Sequence, residues 1–242
     1  MSRRAGITLL ELLIAVTLLS VLSLAMMLSM RIGISALGRT NSKLMDNRRI
    51  AGAQRVLEQQ LEGLIPVTAP CAAEGPGATA RATMISGQPN GLTIVSSFSL
   101  QEGSRGRPQV LQFFAIPGDQ GGVRLLVNET PYTGPLGISQ MCVGIERGEE
   151  NARLPRFSPP SATPRSFVLA DHLRSIKFEY LAPAKKPGEP GIWTGSWNGP
   201  NWPYGIRIEM WPLEPTPARL QPVTVTAPIY INRNPGVQYE DQ

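Results

Sequence analysis

Apolar residues run almost unbroken over residues 7–30, and the run carries a single charge, Glu11, before Arg31. A helix rising 1.5 Å per residue needs about 20 residues to cross roughly 30 Å of hydrocarbon, so this stretch predicts a membrane-spanning helix. Past Arg31 the pattern turns amphipathic. Leu37, Leu44, Ala51, Leu57, Leu61 and Leu64 recur near helical spacing with polar residues between them, which predicts that the same helix continues over residues 31–65. Pro66 stops it. Such a stripe is the face against which a sheet lies.

Residues 66–91, rich in Ala, Gly, Pro and Thr, show no periodicity and read as a loop with one short strand near Met84. The chain then becomes β. "LTIVSSF" follows an Asn-Gly turn, "VLQFFAI" and "VRLLVN" flank the turn-rich "PGDQGG", and "SQMCVGI" completes a set of short strands at hairpin spacing. "LPRFSPPSATPR" reads as a proline-rich linker to a second group, "SIKFEYL", "YGIRIEMW" and "VTVTAPIYI". Residues 66–231 thus form a β-rich domain, and residues 232–242 a C-terminal tail.

Composition alters this picture little. With 42% hydrophobic and 17% charged residues the chain is an anchor plus an ordinary globular domain, large enough to bury a core. The net charge of +5 invites a nucleic-acid reading, but the basic residues are scattered singly or in pairs, without a basic stripe interleaved with aromatics, so no nucleic-acid partner is expected. Cys71 and Cys142 both follow the anchor, where an oxidising compartment would allow them to pair; the sequence alone leaves pairing open. Two cysteines and the single histidine do not complete a zinc site, and Glu149, Glu150, Glu240 and Asp241 match no calcium loop, so neither a metal nor a cofactor is expected. His172, in "LADHLRS", reads as a short helical turn leading into a strand. It has no nucleophile or acid at useful spacing, and the chain is not expected to be an enzyme.

The N-terminus bears on function most directly. Arg3 and Arg4 before an apolar run also open a secretory signal peptide, but Glu11 falls where the apolar centre of such a peptide begins, and the run exceeds the usual 7–15 residues. A plain signal anchor gives Glu11 no role. "AGITLLELLIAVTLLSVL" resembles the leader of type IV pilins and type II secretion pseudopilins: a short basic leader ending in glycine, then an apolar helix with glutamate at its fifth mature position. The resemblance implies that residues 1–6 are a leader, that a prepilin peptidase cuts between Gly6 and Ile7, and that the new amine of Ile7 is methylated. Most family members have phenylalanine where this chain has Ile7. Glu11 would lie one helical turn from that amine, on the same face. Its carboxylate would neutralise its own terminus or a neighbour's as helices pack, and an unpaired buried charge would penalise wrong register, which makes Glu11 an assembly determinant. Snorkelling of Glu11 to the membrane interface is the plainer alternative.

Within that superfamily, "FEYL", Trp193, Trp197, Pro203, "GIRIEM" and "VTVTAPIYI" resemble the C-terminal strands of J-type minor pseudopilins of the type II secretion system, as "RVLEQQLEGLIP" resembles their helix. The fold this implies is α+β and type IV pilin-like: a long N-terminal helix, membrane-spanning in its first half, packed on antiparallel sheet. The function it implies is structural. The chain would sit in the bacterial inner membrane by one pass with its domain in the periplasm, and would join other minor pseudopilins in a tip complex above the major pseudopilin. A minor type IV pilin of the W type and a membrane-anchored exported binding domain are the alternatives.

Overall fold

The computed structural model describes residues 8–73, 77–119, 121–147, 153–184, 189–198, 201–213 and 222–230, with side chains except at 39–50 and 104. Gly6, Ile7, Glu149, Glu150, Glu240 and Asp241 lie outside the described residues. Two compact units emerge, Met1–Arg48 and Arg49–Gln242. A single helix, α1 (Leu9–Glu62), contributes to both. It continues past Arg31 as the apolar spacing predicts, and runs through Gly33 and Gly38 without interruption.

In the second unit, α1 buries Ala53, Leu57, Gln60 and Leu61, at the i, i+4, i+7, i+8 spacing of one helical face. Ala51, expected on this stripe, is exposed, and Ala53 takes its place. The helix ends at Glu62, ahead of Pro66, where Gly63 passes so close to the sheet that a Cβ would lie 2.5 Å from the Phe98 ring.

The sheet is antiparallel throughout. Its strands are β3 (Ser86–Gln88), β4 (Gly91–Ser99), β5 (Ser104–Pro117), β6 (Val123–Pro131), β9 (Phe167–Ala182), β10 (Ile192–Thr194), β11 (Gly205–Pro212) and β12 (Val223–Pro228). They follow the order β12-β11-β9-β6-β5-β4-β3, with β10 also on β9. Strands with β-branched and aromatic alternation are the ones the sequence marks, and here they lie where that pattern puts them. Inward residues such as Leu92, Ile94, Leu111, Phe113, Phe178, Tyr180, Ile206 and Ile208 form one core with the buried face of α1. The sheet curls until β3 meets its far half: Gly87 and Trp197 exchange both backbone hydrogen bonds, 3.0 and 2.8 Å, and Phe178 N–H donates to Pro89 O at 3.3 Å. Only glycine fits at position 87, because a Cβ there would lie 2.5 Å from the Tyr180 ring. The architecture is α+β, a long N-terminal apolar helix followed by an antiparallel β-sheet domain, consistent with the pilin-like arrangement.

Two small sheets depart from expectation. Residues 66–91 hold more than the one short strand expected near Met84: β1 (Thr68–Ala72) and β2 (Thr79–Thr83) form a hairpin from Thr68↔Thr83 to Ala72↔Thr79. Its inward positions Ala69, Cys71, Ala80 and Ala82 are small, so the period-2 pattern is present but weakly hydrophobic. The "LPRF" of the expected linker belongs to β8 (Arg153–Phe157), paired with β7 (Cys142–Arg147). Pro155 is tolerated because a two-stranded sheet leaves each strand one unpaired edge. A short helix, α2 (Pro135–Ser139), precedes β7. These pieces share a second core with Val95 and Val110 on the outer face of the large sheet.

Candidate functional site

Thr8 precedes the first helical residue of α1 and caps it. Its Oγ1 accepts the Glu11 backbone N–H at 3.3 Å, and its carbonyl accepts the N–H groups of Glu11 and Leu12 at 3.0 and 3.2 Å. The Thr8-Leu9-Leu10-Glu11 spacing is that of a capping box, a signal in the sequence that the reading of Glu11 as an assembly residue passed over. Glu11 occupies the first turn, where a negative charge is favoured by the helix dipole, and it is solvent-exposed.

Around and beyond Glu11 every described side chain of the first unit is exposed, including Leu13, Ile14, Leu18, Leu22 and Met26. The segment Leu9–Gly38 holds an 18-residue window of mean hydropathy 2.4 and is long and apolar enough to cross a membrane. Its uncharged run, residues 12–30, measures roughly 28 Å at 1.5 Å per residue, close to the thickness of hydrocarbon. Two of its hydroxyls are satisfied internally: Thr17 Oγ1 donates to Ile14 O at 2.9 Å, and Ser20 Oγ donates to Val16 O at 2.8 Å. That arrangement lets hydroxyls sit in an apolar medium without an open donor.

In the second unit Cys71 on β1 and Cys142 on β7 are joined in a disulfide, with Cα atoms 5.6 Å apart and both residues buried. His172 is not in a helical turn. It sits inside β9 at φ 54°, where the register against β6 shifts between Leu125↔Ala170 and Val123↔Leu173. Its N–H is accepted by Asp171 Oδ1 at 2.8 Å and its carbonyl accepts Leu213 N–H at 2.9 Å, so its backbone shapes a bulge. Beside it, Arg124 bridges Asp171 at 2.8 Å and Asp119 at 2.9 Å. The Arg124 hydrogen bond holds the Asp171 carboxyl below its usual range, against the opposing effect of burial, and the two carboxylates raise Arg124.

Trp193 and Trp197 take different places. The Arg207 guanidinium lies 3.9 Å from the Trp193 ring centroid, while Arg207 and Lys177 both pair with Glu179, at 3.4 and 2.6 Å. The Glu179 contact raises the Lys177 ammonium. Trp197 packs against the main core and its Nε1 donates to Asn201 O at 2.9 Å. Burial pushes the Tyr180 hydroxyl strongly up, and it donates to Gly91 O at 2.8 Å. Among the described residues no group of three or more His, Cys, Asp or Glu is placed to hold a metal.

Residues 1–27 match the family model described as the prokaryotic N-terminal methylation motif. No curated protein and no solved structure matches the chain. The match covers Gly6, Ile7, Thr8 and Glu11 together with most of the apolar run. The chain thus carries a prepilin-type methylation motif at its N-terminus, pointing to a type IV pilin-like protein and implying processing by a prepilin peptidase and assembly with other pilin-like subunits.

Proposed function

We propose that this chain is a minor pseudopilin of the J type in a type II secretion system, a structural subunit of the tip complex that primes filament growth. The observation that carries this reading is the N-terminus: a methylation motif whose glutamate, Glu11, heads the apolar part of α1, residues 9–38, in which every described side chain is exposed. No described residue of the first unit covers that surface, which suits it to a bilayer or to neighbouring helices. Prepilin peptidase cuts between Gly6 and Ile7 and the Ile7 amine is methylated. Glu11 then neutralises that amine or a neighbour's, which sets axial register. The domain lies in the periplasm, where the Cys71–Cys142 disulfide is at home. The J-type assignment draws on the order of the C-terminal strands and on the tryptophan pair ahead of β11.

Two measurements on protein from its own host test this. Intact mass of the membrane-extracted chain should correspond to a start at Ile7 carrying one added methyl; a chain retaining Met1 refutes processing. Cross-linking in the membrane should capture other minor pseudopilins. Capture of pilus subunits instead would assign the chain to the W type, and capture of neither would leave a membrane-anchored binding domain.

A further inference from the structure

One edge of the large sheet is open. The strand order runs from β12 to β3, and at the β3 end Gly87 exchanges both backbone hydrogen bonds with Trp197, which closes that end. Among the described residues β12 has β11 on one side and no strand on the other. A single bond shows which of its main-chain groups face outward. Ile229 N–H donates to Tyr204 O, and in an antiparallel ladder the residues that bond to the partner alternate, so Ala227, Val225 and Val223 turn their N–H and C=O groups toward β11. Thr224 and Thr226 turn theirs away from it. Both are exposed, and outside the β11–β12 ladder no main-chain hydrogen bond reaches either from the described residues.

An open edge is a template for another strand, and proteins ordinarily blunt it with a charge, a bulge or an internal proline. β8 carries such devices in Arg153, Pro155 and Arg156. β12 carries none. From Pro222 to Tyr230 no residue is charged, and the register with β11 runs without a shift from Gly205↔Pro228 to Met210↔Val223. Pro222 precedes the strand and Pro228 ends it, so the prolines bound the outward groups of Thr224 and Thr226 and interrupt neither. Between them Val and Thr alternate, residues well suited to a strand.

The two faces of β12 define what pairs there. On the inner face Val225 and Ala227 are buried in the main core, while Val223 and Ile229 beside them are only partly buried. An added strand sets its own inward side chains against these, so they should be apolar. On the outer face Thr224 lies opposite Glu209 and Thr226 opposite Arg207. A charge on the added strand would gain from one and lose to the other, so its outward side chains should be polar and uncharged. A second copy fits poorly. Antiparallel pairing of β12 with itself has a two-fold axis normal to the sheet, which reverses the α1 residues packed on that sheet, Ala53, Leu57 and Leu61, whereas subunits anchored in one membrane by the same helix run the same way. We propose that the edge of β12 takes an extended segment of another pilin-like subunit as an additional strand. This rests on the assembly reading that the N-terminal motif supports, and adds to it a contact made by the β domain.

The test uses the full chain in its own host, with the photo-reactive residue p-benzoylphenylalanine in place of Thr224, of Thr226 or, as a control, of Glu102, which is exposed in the turn between β4 and β5. Light should join the Thr224 and Thr226 variants to another pilin-like subunit, at a segment with apolar residues alternating and no charge, and the Glu102 variant should not give that product. Thr226→Pro removes one outward N–H and leaves the β11 ladder intact; with the probe at Thr224 it should lower the yield roughly two- to tenfold at an unchanged melting temperature. An unchanged yield overturns the proposal. Should that variant fail to fold, the products from Thr224 and Thr226 in the otherwise native chain decide alone. A cross-link to residues 231–242 of the same chain, or to a second copy, overturns it, because the edge is then covered otherwise. No product from either threonine while chemical cross-linking still captures pilin-like subunits overturns it and leaves the assembly reading standing; no capture by either route removes both.

Discussion

At position 87 the fold depends on one absent methyl group. Gly87 lies where β3 meets Trp197, and a Cβ there would come within 2.5–2.8 Å of Tyr180 and Trp197 side-chain atoms. Tyr180 cannot retreat, being fully buried and hydrogen-bonded to Gln88 O and Gly91 O. Gly87→Ala should therefore destabilise the domain by about 1–3 kcal/mol, read as a lowered urea midpoint; an unchanged midpoint would mean the sheet opens there without penalty. Asp171 gives a pH signature. Its folded pKa is depressed, chiefly by Arg124, so the stability it contributes is present above the ordinary carboxylate value of about 3.9 and is lost as pH falls through the depressed value. Urea midpoints of the native chain and Asp171→Asn should differ at pH 7 and converge as pH drops below about 4. A difference that persists unchanged in acid would mean that the substitution acts through the local geometry of the bulge and not through the charge of Asp171.

Among the elements, the disulfide ties the two small sheets together. Cys71 on β1 and Cys142 on β7 are 71 residues apart and sit in the second core with Val67, Met84, Ile138 and Phe157. Cys71→Ser with Cys142→Ser should lower stability by roughly 2–4 kcal/mol, and reductant should shift the native chain by a similar amount. Hydrogen exchange should place the loss in β1, β2, β7 and β8, with β4 and β5 still protected; uniform loss would show that the small sheets do not open separately. Of these strands β7 is legible in "SQMCVGI", whereas β8 and the β1–β2 hairpin, beyond one short strand near Met84, are hidden from sequence reading for physical reasons. β1 and β2 alternate Ala and Thr, whose burial contrast is slight, and β8 contains Pro155, which reads as a breaker until its partnerless edge is known. Asp171 and His172 look like turn residues, yet they bulge a strand held by β6 on one side and β11 on the other. By contrast α1, β4, β5, β9 and β11 were legible because long apolar or β-branched runs leave few alternatives.

For the molecule as a whole, legibility divides along the same line as its two units. The first is a local code: Thr8, Glu11 and the apolar run lie within one short stretch, so sequence alone exposes them. In the second unit Cys71 pairs with Cys142 and Arg124 with Asp171, partners that only the folded sheets bring together. This division allows the role of Glu11 to be isolated. Glu11→Gln keeps size and hydrogen-bonding capacity while removing the charge that would pair with the Ile7 amine. If pairing sets register in the assembly, the variant should remain membrane-inserted and its domain should melt as the native protein does, because the core formed by Leu57, Leu61 and the sheet lies in the other unit. Incorporation into cross-linked complexes should nonetheless fall at least tenfold, in line with the several kcal/mol that an uncompensated buried charge costs. Glu11→Asp, with its shorter reach, should recover part of it. Native-level incorporation of Glu11→Gln would mean that the carboxylate only caps the helix with Thr8 or snorkels to the interface, since a glutamine serves the N3 position of a capping box as well.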